Sequence, residues 1–152
     1  MLPIGSPAPN FELPNQDRQD VRLSDFRGKI VVIAFHPLAF TPICSEQMKT
    51  YEQEKDRFAR LDTCVLGISV DSNASKKGWA DALGGISFDL LADFHPKGKV
   101  ASEYGVMTDY GISERAIFIV NRAGQIAWAK KYDDPLRPDL NELLTALAAL
   151  TK

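Results

Sequence analysis

The sequence predicts an α/β fold, because short apolar runs with strand composition alternate with longer stretches whose apolar residues recur at helical spacing. Ile30 to Phe35 reads IVVIAF and Cys64 to Val70 reads CVLGISV, two largely β-branched runs that suit buried strands. Between them Met48, Tyr51, Phe58 and Leu61 recur near helical spacing among Lys, Glu and Arg, which predicts one amphipathic helix over roughly 42 to 60. A strand, a helix and a strand in that order make a right-handed crossover with the strands parallel.

The remaining elements follow in chain order. Pro3, Gly5, Pro7 and Pro9 are too many breakers for a helix or a central strand, so residues 1 to 10 form an extended lead-in over the surface. Phe11-Glu12-Leu13 and Val21-Arg22-Leu23 alternate apolar and polar on either side of Pro14-Asn15-Gln16-Asp17, the pattern of a short hairpin. Ser24 to Gly28 reads as a capped single turn ending at glycine. After Asp71-Ser72-Asn73, residues 74 to 84 form a weaker helix with Trp79, Ala80 and Leu83 as its apolar side. Leu90-Leu91-Ala92 is a short strand, and Pro96 to Tyr104 a short helix stopped by Gly105. Ala116 to Val120 is a buried strand. Asn121-Arg122-Ala123-Gly124 turns it back into an antiparallel partner, Gln125 to Lys131, where Ile126 and Trp128 alternate with polar neighbours. Asp133-Asp134 beside Lys130-Lys131 reads as a solvated turn. Pro135 and Pro138 precede a closing helix marked by Leu140, Leu143, Leu144, Leu147 and Leu150. This order is that of a thioredoxin-type α/β sandwich, enlarged by the N-terminal hairpin and by an insert between residues 71 and 113.

Composition narrows the function. A chain of 152 residues fits one domain spanning 1–152, and 45% hydrophobic content builds a core without metal or disulfide staples. Two cysteines without a pairing pattern exclude a disulfide scaffold and favour a reducing compartment, the cytoplasm. There is no apolar run near eighteen residues, and Met1-Leu2-Pro3-Ile4-Gly5 has no charged region leading into an apolar one. A soluble, unexported protein is therefore expected. A net charge of −2 with both signs mixed along the chain argues against nucleic acid or membrane as partner. No Gly-rich phosphate loop, flavin or nicotinamide motif occurs, so no cofactor is expected. His36 and His95 lack metal-ligand spacing, so no metal is expected either.

The chemistry concentrates where the first strand meets its helix. Thr41 is a good N-cap and Pro42 suits the first helical position, which puts Cys44 in the first turn, among backbone N–H groups left unpaired. A thiolate, not a thiol, is the nucleophile, and helix N-termini favour negative charge. In open α/β sheets sites lie beyond the carboxyl ends of the strands, which is where this cysteine falls.

The spacing Pro37-x-x-x-Thr41-x-x-Cys44 resembles the peroxiredoxin signature, whose last residue is the peroxide-reducing cysteine. Arg115, in Ser113-Glu114-Arg115-Ala116-Ile117-Phe118, is similar to that family's second active-site element. Val70-Asp71-Ser72 and Asn121 to Ile126 extend the likeness over nearly the whole chain, closest to the bacterioferritin-comigratory or alkyl-hydroperoxide-reductase-E branch. The resemblance implies that Cys44 attacks the peroxide O–O bond and that Arg115 and Thr41 hold the thiolate and peroxide oxygens. It implies also that Pro37 shields the sulfur from water.

Cys64 opens an apolar strand, and the stronger reading is a buried, inert thiol; the rival reading is a resolving cysteine. The position five after Cys44, where many relatives carry a resolver on the same helix, is Lys49, and no cysteine lies near the C-terminus. Gln47 stands where the family often has a glutamate. The lack of a cysteine at either resolver position points to a one-cysteine thiol peroxidase recycled by an external thiol: a low-molecular-weight thiol, a thioredoxin or a glutaredoxin. A homodimer is what the resemblance implies. The alternative is a peroxide sensor using the same cysteine with little turnover. A dithiol oxidoreductase is disfavoured because Cys44-Ser45-Glu46-Gln47 has no second cysteine.

Overall fold

The computed structural model describes residues 1–133 and 137–151. Asp134 of the expected turn and the breaker Pro135 lie outside them. A five-stranded sheet is built in the order β5-β4-β3-β6-β7 from β3 (Ile30–Phe35), β4 (Thr63–Ser69), β5 (Asp89–Ala92), β6 (Arg115–Val120) and β7 (Ile126–Tyr132). A separate hairpin pairs β1 (Glu12–Pro14) with β2 (Asp20–Arg22), setting Leu13 opposite Val21. β3 is parallel to β4 and β4 to β5, whereas β6 runs antiparallel to both β3 and β7. This is the expected thioredoxin-type sandwich. The hairpin is the N-terminal extension, and the segment 71–113 contributes α3 (Asn73–Ala82), β5 and α4 (Lys99–Glu103).

All six residues of β3 and of β6 are buried, as their unbroken apolar runs require for strands covered on both faces. On one face Val31, Ile33 and Phe35 join Phe118, Tyr104 of the α4 end and the hairpin's Leu13 and Val21. On the other, Val32 and Ala34 join Cys44, Met48 and Tyr51 of α1 (Pro42–Gln53), Trp79 of α3, and Leu143 and Leu147 of α5 (Leu140–Leu150). Gly67 lets α1 lie close: a Cβ there would stand 3.0 Å from Met48 Sδ. The crossover helix thus starts at the carboxyl end of β3 and returns along β4.

Three expectations are corrected. The helix expected over 42 to 60 is two, α1 and α2 (Lys55–Arg60). At Glu54 the backbone leaves the helical region at φ −102°, ψ +17°, while its N–H still closes the last turn on Thr50 O at 3.0 Å. Ile126 and Trp128, which strict alternation would put on one face, are separated by a bulge. It pairs Val120 with Ile126 but Ile119 with Trp128, so Ile126 joins the hairpin-side core and Trp128 the α5-side core. The single turn after β2 is a 3-10 turn over Leu23–Phe26, whose start is held by the Asp25 carboxylate accepting from Arg22 N–H at 3.0 Å, not by Ser24.

Candidate active site

α1 begins as its residues dictate: Thr41 occupies the N-cap position with extended backbone, Pro42 is first in the helix and Cys44 third, with Ser45 N–H closing the first turn on Thr41 O at 2.9 Å. The Thr41 hydroxyl, however, does not cap. It donates back to Leu38 O at 2.7 Å, tightening the loop that leads in from β3. Between them Phe40 adopts φ +67°, a left-handed conformation costly for a bulky residue and sustained only where surrounding contacts fix it. Those contacts include Asp71, whose Oδ2 accepts from Ala39 N–H at 2.8 Å and from Ser69 Oγ at 2.6 Å. Ser113 Oγ, on the segment entering β6, donates to His36 O at 3.3 Å.

β6 delivers Arg115 to the same point. Its Nη1 lies 3.3 Å from Cys44 Sγ and 3.0 Å from Gln47 Oε1. Arg115 is 7% exposed, and its neighbour Glu114 pairs with Lys131. Gln47, one turn beyond Cys44, passes the network on: its Nε2 donates to Tyr51 Oη at 3.0 Å. The amide therefore supplies the acceptor that a glutamate would offer, and turns its donor to a phenol whose pKa burial pushes up to about 12. Three of the four expected site residues, Thr41, Pro37 and Arg115, line one cleft of about 400 Å³ with apolar walls from Leu38, Ile43 and Ile112. Cys44 itself is fully buried, one hydrogen bond behind the guanidinium.

The inner face of α3 carries a group that sequence reasoning missed. Lys76 of α3 is fully buried, its Nζ 2.8 Å from Nε2 of the equally buried His36. The His36 ring packs on Trp79 at 5.1 Å between centroids, Lys76 Nζ stands 5.5 Å from the Trp79 ring, and Trp79 Nε1 donates to Ser45 Oγ at 2.9 Å. Burial, then Lys76, then Arg115 hold His36 well below the usual histidine range, so the ring is neutral. Burial lowers Lys76 to about 7, against the pull of Asp71 and Cys44. One signal was in the sequence: Lys76 falls on the helical stripe with Trp79, Ala80 and Leu83, the apolar face of α3.

This burial has a consequence for stability. Between about 7 and the ordinary lysine range the unfolded chain holds a proton at Lys76 that the folded chain has released, so this group makes stability rise with pH across that window. Thermal melts at stepped pH should show a shallower rise for Lys76→Met than for the wild type, and an equal slope would contradict the buried, depressed amine.

Cys64 is half-buried rather than buried, with burial raising its pKa. It shares a cleft with Tyr51 and Phe58, and Tyr51 lies two helical turns, roughly 10 Å, along α1 from Cys44. Its strand partner is Val31, near the opposite end of β3 from the Cys44 loop. A disulfide needs Cα atoms within about 7 Å.

A profile of the AhpC/TSA family matches residues 4–129. The chain belongs to that family. Across 99% of both chains it is 39% identical to alkyl hydroperoxide reductase E of Mycobacterium tuberculosis. Among solved structures, AhpC of Enterococcus faecalis superimposes with a TM-score of 0.89 at 29% identity, covering 98% of this chain and 92% of that one. The reduced 2-Cys peroxiredoxin of Plasmodium vivax gives 0.88 at 28% identity, covering 98% and 82%. The resemblance to peroxiredoxins and to their alkyl-hydroperoxide-reductase-E branch, expected from the Thr41-Pro42-Ile43-Cys44 and Arg115 motifs, is borne out. Among the described residues no helix is long and apolar enough to cross a membrane.

Proposed function

We propose that the protein is a one-cysteine thiol peroxidase. The single observation that carries the reading is the Arg115 Nη1 to Cys44 Sγ contact of 3.3 Å in the first turn of α1, at the end of a cleft open to small molecules. The Cys44 thiolate attacks one peroxide oxygen and takes it as a sulfenic acid, while the other leaves as hydroxide or alkoxide and gains a proton. Arg115 cannot lose its charge and can follow the negative charge from sulfur to the departing oxygen. Pro37 offers the cleft no N–H to compete. Thr41, whose hydroxyl faces Leu38 O at rest, turns toward the peroxide only if that bond opens. The apolar walls suit an organic hydroperoxide as well as hydrogen peroxide.

An external thiol, whether a thioredoxin, a glutaredoxin or a low-molecular-weight thiol, then condenses with the sulfenic acid, and a second thiol releases the enzyme. On this reading Cys64, which lies on β4 in a cleft with Tyr51 two helical turns along α1 from Cys44, takes no part in that step, and two free thiols fit a reducing compartment such as the cytoplasm. Exposed Phe40 and Tyr110 near the site loop and the β6 approach are consistent with a homodimer. Steady-state peroxide consumption with each donor should be the same within about twofold in Cys64→Ser and in the wild type. Turnover abolished in Cys64→Ser alone would make Cys64 a resolver and overturn the one-cysteine mechanism.

A further inference from the structure

We propose that Lys76, held against the His36 ring, is a second cation of this site, a positioning residue that stabilises negative charge on the Cys44 sulfur from inside the protein. The proposal rests on the reading of Cys44 as the nucleophile. Arg115 reaches the sulfur from β6, on one flank of β3, and lines the cleft; Lys76 approaches from α3, which packs against β5 beyond the other flank, and is sealed from solvent.

The charges facing Lys76 are few. From the end of β3 comes His36, neutral; from the turn after β4, Asp71; and from α1, Cys44; Arg115 of β6 acts on the His36 ring. Asp71 Oδ2 is already engaged by Ala39 N–H and Ser69 Oγ, so its charge is partly spent holding the loop. Asp71 and Cys44 are the two groups that favour a proton on Lys76. A thiolate therefore helps to keep the ammonium, and by reciprocity the ammonium helps to keep the thiolate.

The His36 ring makes the pair two-state. An ammonium at Lys76 needs Nε2 as acceptor, which forces the ring proton onto Nδ1; that atom is buried and has no hydrogen-bond partner among the described residues. A neutral amine instead accepts from Nε2–H and leaves Nδ1 a bare lone pair, the cheaper arrangement to bury. Loss of the sulfur's negative charge thus tips the pair toward amine, and its gain tips it toward ammonium. Lys76 at about 7 stands where that balance is most easily moved.

The test follows carbamidomethylation of Cys44 by iodoacetamide, scored by intact mass in a Cys64→Ser background, from about pH 6 to about pH 9. Lys76→Met removes the charge and the hydrogen bond; Lys76→Gln removes the charge but keeps a partner for His36. Both should react about 3- to 10-fold more slowly than the parent near pH 6 and equally fast near pH 9, where Lys76 is uncharged in the parent too. Parent-like rates throughout, or the same slowing at every pH, would overturn the proposal. In the wild-type protein with 13C-labelled lysine, one Cε resonance should titrate near neutrality, and its midpoint should fall once Cys44 is alkylated; an unmoved midpoint would overturn it independently of any variant. Alkylation reports the sulfur without peroxide, so absent peroxide consumption by the parent would sink the peroxidase reading while leaving this one standing.

Discussion

Cys44→Ser should reduce peroxide consumption to the uncatalysed background, a loss of at least about 10⁴-fold, with the fold intact. A serine hydroxyl does not ionise near neutral pH, so neither the helix N-terminus nor the guanidinium has an anion to stabilise. The substitution is nearly isosteric in a site where Cys44 is fully buried against Val32, Ala34 and Met48, so the melting temperature should stay within a few degrees of the wild type. A peroxide assay run with a saturating thiol donor, alongside a thermal melt, checks both halves. Residual turnover above about a hundredth of wild type in a folded variant would show that another group carries the reaction.

Arg115→Met should leave a folded protein whose rate constant for Cys44 oxidation falls by about 10²- to 10³-fold, the usual effect of deleting a donor aimed at developing charge. Methionine keeps the buried stem but removes the Nη1 that bridges Cys44 Sγ and Gln47 Oε1. Gln47 is then left with an unpaired buried oxygen, which should cost about 1 to 3 kcal/mol of stability, read by denaturant titration. Rapid-mixing fluorescence or quenched intact mass measures the rate. Loss of stability without loss of rate would make Arg115 a structural partner of Gln47 only.

Much of this was legible in the chain because the signals were local. Ile30–Phe35 and Arg115–Val120 are unbroken apolar runs, and a strand buried on both faces has no other way to look. Thr41-Pro42 marks a helix start by backbone chemistry alone, and with it the place of Cys44. What escaped depended on contacts between distant segments. Nothing in Gln53-Glu54-Lys55 distinguishes a helix break from a helix interior, since all three residues are good helix formers. The bulge in β7 carries no glycine to announce it. Thr41 offered a hydroxyl to two partners, and the loop geometry chose Leu38 O. Gln47 stands in place of the family's usual glutamate, and its amide oxygen still accepts from Arg115, a contact that only the fold reveals. Lys76 was hidden for a statistical reason: lysine is almost never fully buried unless paired, and its partner His36 lies forty positions earlier.

The most direct measurement is the intact mass of wild-type protein after less than one equivalent of peroxide, with the modified peptide located by digestion. The account predicts a gain of one oxygen, confined to the peptide carrying Cys44 and reversed by an external thiol. A loss of two hydrogens joining Cys44 to Cys64, or a Cys44 peptide of unchanged mass while peroxide disappears, would contradict it.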